Sequence, residues 1–174
     1  MSSLPNSILQ AAAIPIRAGR VCLVLSSSGK RWIVPKGRIE RGQTAGETAL
    51  QEAWEEAGLV GALQPEPVGS YLYAKAGARY HVTVFLMHVT EVTDDWPERA
   101  WRARRWLCPT RAIARVEEPG LRKLLRKAFA AAAVAVPTKQ LLGETHGWVA
   151  TDAKSRYAEV SMGSSAAAMA PTFG

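Results

Sequence analysis

The chain has 174 residues, a formal net charge of +7 and a hydrophobic fraction of 48%, which suits one globular domain with an additional segment rather than two full domains. Its longest uncharged apolar run, residues 128–137, is much shorter than the roughly 20 residues of a membrane-spanning helix, and its first residues lack the basic-then-apolar order of a secretory signal. We therefore expect a cytoplasmic protein with no membrane partner.

The first half of the chain predicts strands, then a loop, then a helix. Three segments have the β-branched and apolar composition of strands and end near Gly, Ser or Pro: residues 11–16, 21–26 and 32–34. Residues 36–43, rich in Gly and charge, predict a loop. A helix is expected over residues 44–57. Thr44 and Glu47 have the spacing of a capping box at its start, and Gly58 is a typical C-terminal stop.

The second half predicts three more strands and two helices. The strand segments are residues 68–74, 79–89 and 102–107, and the helical segments are residues 109–116 and 119–134. Strands followed by a helix, further strands and further helices indicate a layered α/β domain with a mixed sheet. We expect this domain to occupy residues 1–136.

Residues 137–174 are rich in Gly, Ser, Ala and Thr, a composition typical of a flexible tail. Basic and acidic residues are equal in number in this segment, so the whole positive excess lies in residues 1–136. A basic domain favours a polyanionic partner such as a nucleotide, a polyphosphate or a nucleic acid. A basic surface that is merely solvated fits the charge equally well.

The two cysteines, Cys22 and Cys108, have no spacing typical of a metal site. Cys22 lies inside an apolar run, and Cys108 lies near Trp106. We expect both to be buried thiols in a reducing compartment.

The predicted helix carries an unusual set of charges for a basic domain. It contains no Lys or Arg but four glutamates, Glu47, Glu52, Glu55 and Glu56. At about 100° per residue, the last three fall within an arc of roughly 100°, opposite a mainly apolar face. Like charges at these spacings repel each other by about 0.2–0.5 kcal/mol. The helix therefore displays either a solvated acidic face or ligands for a hard cation such as Mg²⁺ or Mn²⁺.

The turn before the helix adds further candidate ligands. Pro35, Lys36 and Gly37 end a strand and start a turn. Gly37 lets the backbone come close to a ligand or an ion, because glycine has no side chain. Main-chain carbonyls of this turn could therefore join the carboxylates as ligands.

Residues 37–59, GRIERGQTAGETALQEAWEEAGL, resemble the sequence motif of the Nudix hydrolase family. The motif consists of Gly, five residues, Glu, seven residues and then Arg-Glu-apolar-x-Glu-Glu-x-Gly-apolar, and the spacing is complete. The matching residues are Gly37, Glu52, Ala53, Glu55, Glu56, Gly58 and Leu59. Two positions depart from the motif: Gln43 stands where Glu is usual, and Gln51 stands where Arg is usual. The family Arg orients the glutamates, so Gln51 affects the expected geometry and rate but removes no metal ligand.

The resemblance implies an α/β fold, with a mixed sheet between helices, and the magnesium-dependent hydrolysis of a phosphoanhydride bond. The implied metal-binding residues are Lys36, Gly37, Glu52, Glu55 and Glu56. Among them the side chains of Glu52 and Glu56 and the carbonyl of Lys36 are the principal ligands, and Mn²⁺ is an alternative to Mg²⁺. The three glutamates form the implied catalytic group, with Glu55 as the general base that takes a proton from the attacking water.

The segments around the motif resemble the diphosphoinositol-polyphosphate and diadenosine-polyphosphate hydrolase branch of the family. The similar stretches are residues 24–41, 89–96 and 102–107. They imply a small-molecule substrate that carries a polyphosphate, bound by a monomer or a homodimer. The candidate substrate-binding cations are Arg17, Lys30, Arg31, Lys36 and Arg79, although each fits a solvated surface equally well. Trp32 and Tyr73 could stack on a base, but packing in the core or at its rim is the favoured interpretation.

Two alternatives stay open. The same motif could serve the hydrolysis of nucleoside triphosphates, nucleotide sugars or RNA caps, because only the recognition loops differ. The chain could instead be a non-catalytic Nudix-like module that binds a nucleotide or, as a less favoured partner, RNA. The intact Glu52, Glu55 and Glu56 argue against a binding module, whereas Gln43 and Gln51 argue mildly for it.

Overall fold

The computed structural model describes residues 7–134, in which eight strands and three helices follow one another. The strands are β1 (Ser7–Arg17), β2 (Arg20–Leu25), β3 (Trp32–Ile33), β4 (Lys36–Arg38), β5 (Leu59–Leu63), β6 (Gly69–Lys75), β7 (Ala78–Val92) and β8 (Arg104–Leu107). The helices are α1 (Ala45–Ala57), α2 (Pro109–Arg115) and α3 (Pro119–Val134). None of these helices has the length and the apolar composition needed to cross a lipid bilayer. The tail predicted over residues 137–174 lies outside the described residues, so the domain boundary at residue 136 stays a prediction.

All eight strands belong to one mixed sheet built around β1 and β7. The main strand order is β3-β2-β1-β7-β5, and β4 pairs with β1, β6 with β7 and β8 with β2. Strands β1 and β7 run parallel, in register from Ser7 opposite Arg79 to Ile16 opposite His88. The other strand pairs among the described residues are antiparallel. The mixed sheet predicted from the sequence is confirmed.

Different helices cover the two faces of the sheet, because successive side chains of a strand point to opposite sides. On β1, Ala11 and Ala13 belong to the core cluster that contains the apolar residues of α1. Their neighbours Ala12 and Ile14 belong to the cluster that contains residues of α2 and α3. The sheet therefore lies between helices, as the motif resemblance implies, and α1 has one face to itself.

Helix α1 begins and ends as predicted. The hydroxyl of Thr44 accepts a hydrogen bond from the N–H of Glu47 over 3.2 Å, and the carboxylate of Glu47 accepts one from the N–H of Thr44 over 2.9 Å. At the other end, Gly58 adopts the left-handed conformation (φ 62°, ψ 38°), and its N–H caps the last turn. These two caps fix where the helix starts and stops, and thus which way its glutamates point.

Strands β1 and β7 are longer than predicted, and three further features of the sheet differ from the prediction. Strand β4 lies within the segment predicted as a loop, because pairing with β1 makes Lys36–Arg38 extended. Strand β5 follows directly on the cap of α1 and pairs with β7, with an irregularity at residues 60–61, although the sequence predicts no strand there. Strand β8 begins at Arg104 rather than at residue 102, because Arg102 lies before the strand and turns its side chain inward.

The prediction of two buried thiols is right for Cys22 and wrong for Cys108. Cys22 lies on β2, within the core cluster on the α1 side of the sheet. Cys108 is exposed because it is the N-cap residue of α2, where the chain has already left the sheet.

Candidate active site

Strand β4 lies against the acidic face of α1. A Cβ added at Gly37 would overlap the carboxylate of Glu52, so the contact requires a residue without a side chain. The N–H of Lys36 donates to Oε2 of Glu56 over 3.2 Å. The backbone of the predicted turn and two of the predicted metal-binding carboxylates are therefore in direct contact.

Burial raises the pKa values of these two carboxyl groups. Desolvation is the largest cause for Glu52, repulsion from Glu55 and Glu98 adds to it, and the pKa rises to about 7. For Glu56, desolvation outweighs the attraction of Arg102 and raises the pKa to about 8. The local positive charge is thus too small to compensate the acids, and a cation bound beside them would favour their ionised forms.

Arg102 is a residue of this site that the sequence does not identify. Its Nη2 lies 2.6 Å from Oε1 of Glu56, and its Nε lies 2.8 Å from Oε2 of Glu98. Its Nη1 donates to the carbonyl of Leu25 over 3.0 Å. Arg102 is buried and joins the end of β2, the helix and the segment before β8. Within residues 7–134, Glu56 is the one member of the predicted catalytic group that forms an ion pair.

Glu55, by contrast, is held by neutral groups. Nε2 of Gln51 donates to Oε1 of Glu55 over 2.7 Å, and Oε1 of Gln51 accepts from Nε2 of Gln43 over 2.7 Å. Oε1 of Gln43 in turn accepts from the hydroxyl of Thr48 over 3.2 Å. The two positions that depart from the motif are therefore bonded to each other, and the bonds lead to Glu55.

The donor set suits a hard divalent cation, although it does not form a completed cage. Within the described part of the chain, no three acidic, histidine or cysteine side chains converge on one point as metal ligands. A magnesium site, however, often uses one or two carboxylates and takes its remaining oxygens from substrate phosphates and water. Burial and neighbouring acids raise the pKa values of Glu52 and Glu56, so a bound cation would stabilise their ionised forms. The two carboxylates therefore fit that requirement.

A cavity of about 220 Å³ opens beside Glu56. Its wall includes four cationic side chains and three tyrosines: Arg31, Lys36, Lys75, Arg102, Tyr71, Tyr73 and Tyr80. Nζ of Lys36 donates to the hydroxyl of Tyr73 over 2.9 Å and to Oε1 of Gln10 over 3.1 Å. Burial lowers the pKa of Lys36, although Glu56 and Glu52 oppose that shift. Tyr73 stacks on Tyr80 with ring centroids 4.7 Å apart. The cavity combines groups that bind anions with an aromatic wall.

The five cations predicted to bind substrate occupy different places. Arg31 and Lys36 lie in the cavity wall. Lys30 is exposed and does not line the cavity. Arg17 lies at the turn between β1 and β2, at the opposite end of β1 from Arg79. Arg79 lines a separate hollow of about 280 Å³ at the start of β7.

The comparison that decides the family covers most of the described residues. The sequence profile of the NUDIX domain matches residues 8–128. The chain belongs to the Nudix family.

Relatives of this Nudix chain occur in plants and animals. Nudix hydrolase 12, mitochondrial, of Arabidopsis thaliana is 35% identical over 101 residues, which cover 53% of this chain and 50% of that protein. Nudix hydrolase 16, mitochondrial, of the same plant is 30% identical over 118 residues, covering 63% and 65%. Diphosphoinositol polyphosphate phosphohydrolase 3-beta of Bos taurus is 34% identical over 93 residues, covering 52% and 56%. The chain thus spans about half to two thirds of the length of these curated relatives.

Solved structures show the same Nudix fold. The Ap4A hydrolase of C. elegans aligns with a TM-score of 0.61 and 21% identity, covering 72% of this chain and 98% of that one. The E. coli ORF135 protein aligns with a TM-score of 0.59 and 22% identity, covering 76% and 96%. At these identities the likeness concerns the fold.

Two charged residues outside the Nudix motif complete the site. Glu98 and Arg102 come from the segment between β7 and β8; the sequence predicts Arg102 as the first residue of a strand, and Glu98 lies in no predicted element. In the sequence, the one feature that links Glu98 with Arg102 is their i,i+4 spacing, and many solvated pairs on protein surfaces have the same spacing. The sequence could not show that this pair turns inward toward Glu56.

Proposed function

We propose that this Nudix chain is a phosphohydrolase that cleaves a phosphoanhydride bond in a substrate carrying a diphosphate or a longer polyphosphate. The observation that carries the proposal is the placement of Glu52, Glu55 and Glu56 on one helix, with Glu56 in the wall of a cavity lined by cations and tyrosines. Acids that hold metal ions next to cations that hold phosphates are the arrangement that phosphoanhydride hydrolysis requires.

Different residues would bind the metal ion, accept the proton and orient the ligands. Glu52, Glu56 and the carbonyl of Lys36 would be the principal ligands of Mg²⁺ or Mn²⁺, Glu55 would be a further ligand, and the Gly37 turn would supply the close backbone contact. The ion would neutralise phosphoryl oxygens and lower the pKa of water. Glu55 would accept the proton of the attacking water. Arg102 fixes the Glu56 carboxylate from the side opposite the N–H of Lys36, because each binds a different oxygen of that group.

The cavity favours a nucleoside-bearing substrate, diadenosine polyphosphate, over diphosphoinositol polyphosphate. One of its cations, Arg102, is already paired with Glu56 and Glu98, whereas Lys36 contacts only uncharged oxygens and keeps its charge. Arg31, Lys36 and Lys75 therefore remain, and none of them has an ion-pair partner among the described residues. An inositol ring that carries a phosphate on every carbon would need many more cations. Tyr73 and Tyr80, which are partly exposed, offer instead aromatic rings on which a nucleobase can stack.

The test is a substrate panel with products resolved by chromatography. The panel contains diadenosine polyphosphates, inositol pyrophosphates, nucleoside triphosphates, ADP-ribose, nucleotide sugars and capped RNA. We expect Mg²⁺-dependent cleavage of diadenosine tetraphosphate, its loss in EDTA and its return with Mg²⁺ or Mn²⁺. Activity that survives chelation would contradict the metal role. Binding of a nucleotide with no cleavage of any substrate would identify a binding module instead.

A matched pair of variants tests the site. Glu55→Gln should abolish turnover and leave the fold intact. The amide has nearly the same size as the carboxyl group, but it is not a base that can take a proton from the attacking water. Glu66→Gln makes the same chemical change at an exposed residue outside the site and should leave the rate unchanged. Equal rates for both variants would refute the assignment of the general base.

The localisation and the oligomeric state of the chain are also proposals. We propose a cytoplasmic enzyme that acts on a small molecule as a monomer or a homodimer. Several Arabidopsis relatives have the word mitochondrial in their names, so fractionation of cells that produce the chain, together with light scattering of the purified protein, is the appropriate test.

A further inference from the structure

The hydrogen bonds that lead to Glu55 permit only one arrangement of donors and acceptors. An ionised carboxylate can only accept, so Gln51 must turn its amide nitrogen toward Glu55. The oxygen of Gln51 then faces Gln43 and requires the nitrogen of that amide. The remaining oxygen of Gln43 accepts from the hydroxyl of Thr48. All three hydrogen bonds are therefore donated in the same direction, from the Thr48 hydroxyl through the two glutamine amides to the Glu55 carboxylate.

We call this chain of hydrogen bonds, formed by Thr48, Gln43, Gln51 and Glu55, the relay. Its two ends are held in place by the surrounding structure. Thr48 is 2% exposed on the inner side of α1, so its hydroxyl depends on Gln43 for a partner. Gln43 precedes the helix, and its N–H donates to the carbonyl of Glu40. Gln51 and Glu55 are separated by one helical turn, the spacing at which side chains meet. The relay thus fastens the loop before α1 to the acid on its last turns.

The bonds engage one oxygen of Glu55 and leave the other available. Gln51 contacts Oε1 of Glu55, and no side chain of residues 7–134 donates to Oε2. The donor is uncharged, so it places no positive charge beside the carboxylate. A guanidinium in the place of Gln51 would form an ion pair with Glu55 instead, unless a second carboxylate held it.

We propose that Gln43 and Gln51 are positioning residues that orient the Glu55 carboxylate through a neutral relay, in place of the Glu and Arg of the usual Nudix motif. The inference rests on the proposed role of Glu55 in hydrolysis. It explains why both departures from the motif occur in one chain: each glutamine supplies the partner that the other needs. A single exchange of either residue would leave an unmatched group next to Glu55.

The sharpest test is Gln43→Glu, which changes one atom of the relay and almost no volume. The introduced carboxylate can only accept, so Gln51 must turn its nitrogen toward residue 43 and present its oxygen to Glu55. Gln51→Leu removes the last donor directly. The double variant Gln43→Glu/Gln51→Arg supplies an ion pair across the same two positions. Gln64→Leu, at an exposed glutamine outside the site, is the matched control.

Each variant is measured for kcat and KM with diadenosine tetraphosphate, for Mn²⁺ affinity by electron paramagnetic resonance, and for thermal unfolding. Loss of a residue that orients a metal-site ligand typically costs about 10–100-fold in affinity or activity, so we expect losses of this size in kcat and Mn²⁺ affinity for Gln43→Glu and Gln51→Leu. KM should change little, because neither residue lines the cavity. The double variant should recover most of both losses.

Wild-type kcat and Mn²⁺ affinity in Gln43→Glu and Gln51→Leu would overturn the proposal. Failure of the double variant to recover would also overturn it, because an ion pair across the same two positions would then not restore the orientation of Glu55. A wild-type chain that hydrolyses no substrate would refute the proposed function alone. The Mn²⁺ affinities of the same variants would still decide whether the relay orients Glu55.

Discussion

Arg102 and Glu56 form an ion pair inside the protein, with 2.6 Å between Nη2 and Oε1 and with side chains that are 8% and 5% exposed. The pair joins the last turn of α1 to a segment more than forty residues later in the chain, and through Leu25 it also reaches the end of β2. The general acid–base and metal chemistry proposed for the helix therefore depends on a residue that also holds the sheet and helix together.

Arg102→Met is expected to destabilise the fold strongly. Removal of one partner of a buried ion pair typically costs about 3–5 kcal/mol. Glu56 must then keep a buried charge or take up a proton, and Glu98 and the carbonyl of Leu25 lose their donor. Urea denaturation measures the change in the free energy of unfolding. Arg99→Met is the matched control, because the Arg99–Asp95 pair is exposed and 3.8 Å long and should contribute little. Equal stabilities for the two variants would show that the buried pair is not a structural link.

Gly37→Ala is expected to lower kcat with a small effect on stability. The added methyl group would overlap the Glu52 carboxylate, which must then leave its place beside β4. A misplacement of about 1 Å near reacting groups can cost about 100-fold in rate. Gly46→Ala, where the nearest atom to a new Cβ is 3.6 Å away, should keep wild-type activity. Full activity in Gly37→Ala would mean that Glu52 has no fixed place in the site.

Arg31→Ala is expected to raise KM for diadenosine tetraphosphate, whereas Lys30→Ala should not. The two cations are neighbours in sequence, but only Arg31 lines the cavity beside Glu56. Loss of one charge-assisted bond to phosphate, about 1.5–3 kcal/mol, corresponds to a rise in KM of at least tenfold if binding is at equilibrium. Steady-state kinetics distinguish the two variants. A larger effect from Lys30→Ala would place the polyphosphate on the outer side of this turn.

The two thiols are expected to react at very different rates. Burial raises the pKa of Cys22 to about 12, so at pH 8 almost none of it is the reactive thiolate, whereas Cys108 is exposed. Titration of the native protein with a disulfide reagent should therefore modify one thiol quickly, and the same titration in denaturant should modify two. Fast modification of both in the native protein would contradict the packing of β2.

Helix α1 could be predicted from the sequence in full because its signals are local. The capping box at Thr44, the stop at Gly58 and the spacing of the glutamates all lie within one segment, and the structure confirms both ends of the helix. The strands around it depend on pairing with distant residues. Strand β5 is a short apolar run that periodicity cannot assign, and β4 is polar and becomes a strand only through its bonds to β1.

The site shows the same division between local and distant signals. Fixed spacing singled out Glu52, Glu55, Glu56 and Gly37 as candidate site residues. The spacing of residues in the sequence does not predict where a long side chain in a loop points. It could therefore not predict that Arg102 is buried, nor that Arg31 lines the cavity whereas Lys30 does not. Gln43 and Gln51 stood out only as departures from the motif, and their contact became visible once helix and loop were placed together.

The parallel pairing of β1 with β7 has a consequence for synthesis of the chain on the ribosome. Strand β1 is the first of the described segments to emerge, but its parallel neighbour is complete only at Val92. Until then the apolar residues of β1 lack one of their flanking strands, and such non-local strand pairs form slowly. We expect the nascent chain to expose this segment to chaperones, and folding intermediates that lack β7 to be the species that aggregate during overproduction.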